Sequence, residues 1–573
     1  MHRNMEYISA LPNSGIKHIR IHWLLSLIKF SGFDINQVPK YDFTALDTFL
    51  DHLMEIQVFP VIELMGDIFP VKDNIHGIYF MWKDFSFQLV SHYLTRYGQR
   101  TVLNFRFELW NEPDVLSYNI LNYSLTDYLE YAYGVASGLK AGARRMNSMA
   151  NIPLRGPAGL FKSIERHKLC YGLLMACNYN VSSCPIDVLT FHRKGDNSST
   201  AILMESIELL DILREKYPNL DLPYANSEAD PSSGWSKNVT LYADVNYAHT
   251  IVSIVLQHWN AILDGSLNRL ESISHDNSFL SFHPFEFLQR TMLARFVMNN
   301  TEPKTVHFIQ KPVYAALGML SALAHTANKM ETNRNVSYVL SIGEQYAAAL
   351  LFSNKNTLDD HIDIKLDLNY WTKSPNATFG YFAEFLDQTR TNPHSIWTYY
   401  KNPPYPNETV FAEMMHAQGP HVLQNPKIVE NQSFIKLAIT FNHPWIVLVR
   451  ICAASISKPQ KVKNVRIRSI DKNKILILWN DYEYSNNERC IRTYEIYYAA
   501  VAMPENTDHQ MLQWQLITSN KHIPFLSYCH QISTPNEHFA GYYKIRAIDI
   551  FGRYSEFSKI YKYKMKSKQS QLT

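Results

Sequence analysis

Between residues 16 and 320 this chain repeats one rhythm, a short apolar run followed by a longer stretch of helical character. The runs are Ile16–His22, Val58–Leu64, Leu103–Leu109, Pro153–Pro157, Asp187–Phe191, Leu222–Asn226 and Ser272–Asp276. Strands that alternate with helices pair in parallel, and parallel sheets are covered on both faces, so the pattern predicts a (β/α)8-type barrel of the TIM class. Polar or charged residues stand at or just past the run ends, namely His22, Glu63, Glu112, His192, Glu228 and Asp276. In such a barrel the C-terminal strand ends share one face, and that face carries the chemistry.

A closed barrel of this type needs eight strands, and only seven runs qualify. The reading places the first strand upstream of Met1, with residues 2–12 as the first helix and its connection, so that the chain reads as N-terminally shortened. The same shortening accounts for an N-terminus without the apolar core of a secretion signal.

Beyond about residue 325 the pattern changes to short alternating runs such as Phe434–Ile439 and Trp445–Val449, broken by Pro and Asn clusters, which suits an antiparallel sandwich. After Lys458-Pro459 a second change brings the runs Ile475–Trp479, Tyr494–Tyr498 and Tyr543–Ile548, spaced as in a fibronectin type III-like module. The expected organisation is therefore a barrel over 1–322 lacking its first strand, a β-sandwich over 323–458, a fibronectin type III-like domain over 459–562 and a polar tail over 563–573.

A formal charge of +3 and a pI near 8.3 are too mild to indicate nucleic acid. No apolar stretch is long enough to span a membrane. Cys170, Cys177 and Cys184 are each separated by six residues, unlike the short loops of about two to four residues that chelate zinc, so no metal site is expected. Cys490 and Cys529 lie in the C-terminal module, where a bridge suits an oxidising compartment, and Cys452 reads as a buried thiol. Candidate glycosylation sequons stand at Asn122, Asn180, Asn197, Asn238, Asn299, Asn335, Asn376, Asn407 and Asn431.

Two strings sharpen the reading: Phe107-Glu108-Leu109-Trp110-Asn111-Glu112-Pro113-Asp114 and Tyr224-Ala225-Asn226-Ser227-Glu228-Ala229-Asp230-Pro231. Each ends an apolar run on a carboxylate. Two such acids are what a retaining glycosidase requires, Glu112 to protonate the leaving oxygen and Glu228 to attack the anomeric carbon, with Asn111 suited to the sugar 2-hydroxyl.

Together with Ile19–Leu25, Phe191-His192-Arg193-Lys194-Gly195, Ser227–Trp235, His275–Pro284 and Gln289–Phe296, these strings resemble the lysosomal α-L-iduronidases of glycoside hydrolase family 39 over residues 5 to 558. The resemblance implies release of terminal α-L-iduronic acid from dermatan and heparan sulphate with retention, without a cofactor, in the lysosome. It implies Glu112 as acid/base, Glu228 as nucleophile, and Lys194 and Arg290 as partners of the uronate carboxylate. Asp276 is implied as an acceptor from a sugar hydroxyl, Gly234 and Trp235 as a loop beside the nucleophile, and His22 as a sugar contact. After Glu63-Leu64-Met65-Gly66 the chain has Asp67-Ile68-Phe69-Pro70, without the His the family carries there. Two alternatives stand beside this reading, a β-xylosidase-like hydrolase on the same barrel and an inactive glycan-binding protein.

Overall fold

The computed structural model describes residues 2–12, 15–35, 38–69, 77–145, 151–195, 198–234, 237–278, 281, 283–302, 304–323, 327–333, 335–354, 362–367, 378–430, 434–454, 457–471, 473–482, 491–500, 512–531 and 540–564. All seven forecast runs form strands: β1 (His18–Ile21), β2 (Phe59–Glu63), β3 (Arg106–Glu108), β4 (Leu154–Gly159), β5 (Val188–His192), β6 (Tyr224–Glu228) and β7 (Leu270–Ile273). They pair in parallel in chain order from β1 to β7.

Helices fill the connections, among them Thr44–Glu55, Gly77–Tyr97, Leu125–Arg145, Lys168–Tyr179 and Ser199–Lys216. Every residue of β4 and β5 is buried, as expected of strands covered on both faces. The helices pack closely where side chains vanish. A Cβ on Gly138 would sit 2.2 Å from the Lys83 carbonyl oxygen, and one on Gly134 would sit 2.5 Å from that of Tyr79. These glycines let the helix Leu125–Arg145 lie against Gly77–Tyr97 backbone to backbone.

The chain divides into two compact units. The barrel unit comprises Ile16–Ser233 and Gln257–Asp276; the other comprises Met1–Gly15, Gly234–Leu256 and Asn277–Thr573. Residues expected to form the barrel's first helix do form a helix, His2–Glu6, with a 3-10 turn over Tyr7–Ala10, but they belong to the second unit. There the Arg468 guanidinium meets Glu6 at 2.8 Å and Leu526 N–H donates to the Ala10 carbonyl.

The second unit is mostly antiparallel sheet. A six-stranded sheet runs in the order Glu331–Asn333, Val336–Ile342, Tyr346–Ser353, Trp445–Ala453, Phe379–Asp387 and His421–Val429, and a separate pair joins Ile362–Asp367 to Phe434–Ile439. Trp445, Val447, Val449, Tyr381, Ala383, Leu437 and Ile439 share one core, the arrangement of a sandwich. C-terminal to it, three strands (Lys463–Ser469, Lys474–Asn480, Ser527–Gln531) and four (Gln515–Leu516, Ile491–Ala500, Ala540–Asp549, Tyr561–Lys564) enclose Trp479, Tyr494 and Ile545, as forecast for a fibronectin type III-like module.

The cysteine reading needs correction. Cys529 carries a free, half-buried thiol, pushed up to about 11 by burial, so it does not bridge to Cys490, which lies outside the described residues. Cys452 is disulfide-bonded and is no thiol. Cys177 and Cys184 form a disulfide with their Cα atoms 4.5 Å apart, closing the loop after the helix Lys168–Tyr179. Among the sequons, Asn122, Asn180, Asn238, Asn299 and Asn407 are exposed and Asn335 is half-buried, while Asn197, Asn376 and Asn431 lie outside the described residues. Among the described residues no helix is long and apolar enough to cross a membrane.

A buried ion pair stitches the sandwich to the C-terminal module. Arg450 donates to Glu384 at 2.8 Å and to the Ile491 carbonyl at 3.1 Å, while His522 reaches the other Glu384 oxygen at 2.6 Å. Burial alone would raise the Glu384 carboxyl, but Arg450 and His522 hold it below the ordinary range. Arg450→Met strands that buried charge and should lower stability by about 3–5 kcal/mol. Denaturant unfolding followed by tryptophan fluorescence measures it, with Glu384→Gln/Arg450→Met expected to recover part of the loss.

Candidate active site

Parallel strands carry their last residues to one edge of the sheet, and here that edge is crowded with charge. Glu63 ends β2, Glu108 ends β3, His192 ends β5 and Glu228 ends β6, with His22, Asn111, Glu112, Lys194 and Asp276 just beyond strand ends. Register sets Glu63 beside Glu108 and His192 beside Glu228.

Arg20, in the middle of β1, sits at the centre. Its guanidinium meets Glu63 at 2.9 Å, Glu108 at 2.5 Å, Glu228 at 3.0 Å and the Asn111 side-chain oxygen at 2.8 Å. Five strand-to-strand steps separate β1 from β6, about 24 Å in a flat sheet at about 4.8 Å per step. A direct contact from Arg20 to Glu228 therefore requires the sheet to curl, which brings the forecast strand-end residues around one space. Burial opposes the Arg20 charge, but Glu108, Glu63 and Glu228 together outweigh it and raise its pKa. Conversely Glu108, wholly buried, is held below the ordinary carboxylate range, burial being outweighed by Arg20.

Glu228 is held from both sides. One carboxylate oxygen takes Arg20, with His22 Nε2 at 3.8 Å; the other takes the Lys194 ammonium, with His192 Nδ1 at 3.6 Å. Burial would favour its neutral form, yet His192, Lys194 and Arg20 overcome this and keep Glu228 well below the usual carboxylate range. Lys194 also reaches Asp276 at 3.1 Å. Its own burial pulls it down, and Glu228 and Asp276 reverse the effect and raise it. His22 Nδ1 lies 2.9 Å from Glu63; burial is again outweighed by the carboxylate, so the imidazole is raised.

Glu112 is placed differently. Its backbone is left-handed, with φ 43°, and its N–H donates to the Ala158 carbonyl at 3.0 Å. That turn swings the side chain off the line of the strand to meet His192 Nδ1 at 2.8 Å. Donor atoms of Glu112, His192 and Glu228 all lie within 4.8 Å of one another. An oxygen pair this close suits a retaining pair of acids, about 5–5.5 Å apart, and not the wider gap of inverting enzymes, about 6.5–9.5 Å. The same three donors are the described residues that could hold a metal ion. The neighbouring Asp114 serves structure: its carboxylate accepts from Leu169 and Cys170 N–H at 2.7 and 3.1 Å, capping the helix Lys168–Tyr179.

Glu112, Glu228, Asn111, His22, Lys194 and Asp276 are thus brought together. Asn111 is wholly buried, its oxygen taken by Arg20, and its Nδ2 meets no hydrogen-bond partner among the described residues. Gly234 and Arg290 belong to the second unit. Gly234 adopts φ +83°, where a side chain would be strained, and Arg290 is fully buried with its guanidinium 5.6 Å from the Tyr242 ring, not a solvated charge. Trp235 lies outside the described residues. Sequence reasoning gave no role to Arg20 or Glu108 and placed His192 at a strand end without assigning it a contact. The available signal was a charged residue between β-branched ones (Ile19-Arg20-Ile21) in a run otherwise bound for the interior.

A family model for glycosyl hydrolases family 39 matches residues 2–433, and one for a fibronectin-III type domain matches 457–562. An α-L-iduronidase of Drosophila melanogaster is 37% identical, covering 98% of this chain and 90% of its own length. One of Mus musculus is 29% identical, covering 97% of this chain and 88% of its own length. A solved structure described as the bacterial orthologue of human α-L-iduronidase superposes with a TM-score of 0.79 at 21% identity, covering 98% of this chain and 94% of that one.

Arg20→Met should remove the one cation shared by three carboxylates. The Glu108 contribution to stability exists above its unfolded pKa of about 4.5 and fades as pH falls through the lower folded value. The variant's thermal midpoint should therefore trail the parent's most above pH 4.5, and the gap should close on acidification, as read by scanning calorimetry across pH.

Proposed function

Because the chain belongs to glycosyl hydrolase family 39, we propose that it is a retaining α-L-iduronidase that removes terminal iduronic acid from dermatan and heparan sulphate fragments in the lysosome. The observation that carries the reading is the approach of Glu112 to Glu228 within 4.8 Å beside the Lys194 ammonium.

Each group has a task that its surroundings suit. Glu228, ionised by its cationic partners, attacks the anomeric carbon while Glu112 gives its proton to the leaving oxygen. Glu112 then takes a proton from the water that attacks the glycosyl ester and releases the sugar. Asn111, oriented by Arg20, presents its amide Nδ2 to the 2-hydroxyl, a contact that strengthens in the transition state.

Arg20 and Lys194 pair with Glu63, Glu108, Glu228 and Asp276, two cations against four carboxylates. A uronate substrate adds another negative charge, so it needs a cation that can turn toward it. Lys194, on a flexible stem between Glu228 and Asp276, is the group able to do so, with Asp276 left to accept from a sugar hydroxyl. Roles for Arg290 toward the uronate carboxylate and for Gly234 and Trp235 beside the nucleophile rest on the family resemblance alone.

The assay uses 4-methylumbelliferyl α-L-iduronide against the β-D-xyloside and the neutral α-L-idoside. Iduronide should be turned over and the xyloside hardly at all; preference for the xyloside sinks the assignment. Glu228→Gln should abolish turnover, and Glu112→Gln should lower it by about 10²–10⁴-fold. Lys194→Ala should slow both substrates through the lost Glu228 ion pair and, in addition, raise KM for the iduronide by a larger factor than for the idoside.

A further inference from the structure

Both carboxylates are referenced to a single rigid ring. His192 closes β5, its side chain is wholly buried, and its Nδ1 lies 2.8 Å from Glu112 Oε1 and 3.6 Å from Glu228 Oε2. Its Nε2 is buried and meets no hydrogen-bond partner among the described residues. A buried N–H without an acceptor costs about 1–3 kcal/mol, whereas a hydrogen on Nδ1 finds its acceptor in Glu112 Oε1.

We propose that His192 is the positioning residue of the proton-transfer step: its Nδ1–H holds Glu112 Oε1 and thereby assigns Oε2 as the oxygen that carries the transferable proton. The inference rests on the roles given above to Glu112 and Glu228. In the first step the Oε2–H bond breaks and its proton goes to the glycosidic oxygen as the bond from that oxygen to the anomeric carbon breaks and a Glu228 oxygen bonds to the carbon. In the second, water bonds to the carbon, its proton returns to Glu112 Oε2, and the ester to Glu228 breaks. His192 neither gains nor loses a proton. It keeps Oε1 engaged throughout, whether Glu112 is an acid or a carboxylate, so the carboxyl does not rotate between the two steps.

The groups around the ring fit this role. Glu112 and Glu228 face Nδ1, while Lys194 shares Glu228 Oε2 with the ring and Arg20 takes Oε1. Among the described residues no other side chain hydrogen-bonds the Glu112 carboxylate, so freeing Oε1 leaves the proton donor without a guide.

The experiment compares kcat/KM for aryl α-L-iduronides whose leaving groups differ in acidity. A 2,4-dinitrophenyl group departs without help from an acid, whereas a phenyl group needs the proton. His192→Leu should lose about 10²-fold on the phenyl iduronide, the effect of a misplaced donor, and little on the dinitrophenyl iduronide. His192→Asn, whose amide N–H takes the place of Nδ1–H, should restore the phenyl rate. Equal losses on both substrates would make His192 merely structural and overturn the proposal. Should His192→Leu fail to fold, His192→Asn still decides, since a steep dependence on leaving group in that variant also overturns it. Glu112→Gln run alongside separates the two levels: without leaving-group dependence there, the acid/base assignment itself falls, whereas dependence in Glu112→Gln with none in His192→Leu refutes the His192 role alone.

Discussion

One guanidinium holds the barrel's active edge together. Burying a carboxylate without a partner costs several kcal/mol, and Glu63, Glu108 and Glu228 are nearly or wholly removed from solvent. Arg20 offers the planar fork of donors that three carboxylates and one amide can share. The contact does more than neutralise. Because Arg20 belongs to β1 and Glu228 to β6, the ion cluster is a tie across the curl of the sheet, and it fixes the nucleophile candidate relative to strands otherwise linked to it only through their neighbours. Fold and chemistry depend on the same side chain, so a substitution there cannot harm one without the other.

Around that tie the charges are graded. Glu228 lies where cationic partners converge and is held well below the usual carboxylate range, while Glu112 meets a single imidazole nitrogen. Two acids with unlike surroundings are what lets one attack while the other delivers a proton. The surplus of carboxylates over fixed cations also gives the imidazole of His22 reason to hold its proton more tightly than in water. Lys194 spans Glu228 and Asp276, so any anion drawn toward it competes with groups already in place; selectivity for a negatively charged sugar then depends on how well that sugar replaces those contacts.

Much of this was legible from sequence because apolar runs and their polar ends obey simple periodicity. Each of the seven forecast strands formed, with its ends shifted by a few residues, and Glu112, Glu228, His22 and Asp276 were recognisable as strand-end groups, with Asn111 beside Glu112, whereas Lys194 was singled out by the family resemblance alone. What failed had a common cause, dependence on who lies next to whom across the fold. Arg20 lies inside β1 and Glu108 ends β3, and local sequence offers no hint that their charges meet across the sheet. Cys529 lies on the strand Ser527–Gln531, and Cys452, on Trp445–Ala453, is disulfide-bonded instead; bridging is decided by sheet pairing, which spacing does not encode. Residues 2–12 read as the first barrel helix and its connection from their position in the chain, yet Glu6 and Ala10 find their partners on the C-terminal module.

Backbone strain explains why Glu112 points where it does. A residue with a side chain at φ 43° is disfavoured by about 1–3 kcal/mol, and Ala158, which accepts its N–H, is itself left-handed at φ 55°. Two strained residues leaning on each other would relax unless something fixed one of them. Ala158 N–H donates to the Thr190 hydroxyl at 3.0 Å, and Thr190 lies on β5 two residues before His192. Main chain and side chain of Glu112 are therefore both referred to β5, the first through Ala158 and Thr190, the second through His192. β5 is buried along its whole length and hydrogen-bonded on both edges, to β4 and to β6, so it is a stiff reference. Since β6 carries Glu228, paired with His192 just past a shift in the β5–β6 register, the separation of the two acids is set by neighbouring strands and not by the loop that follows β3.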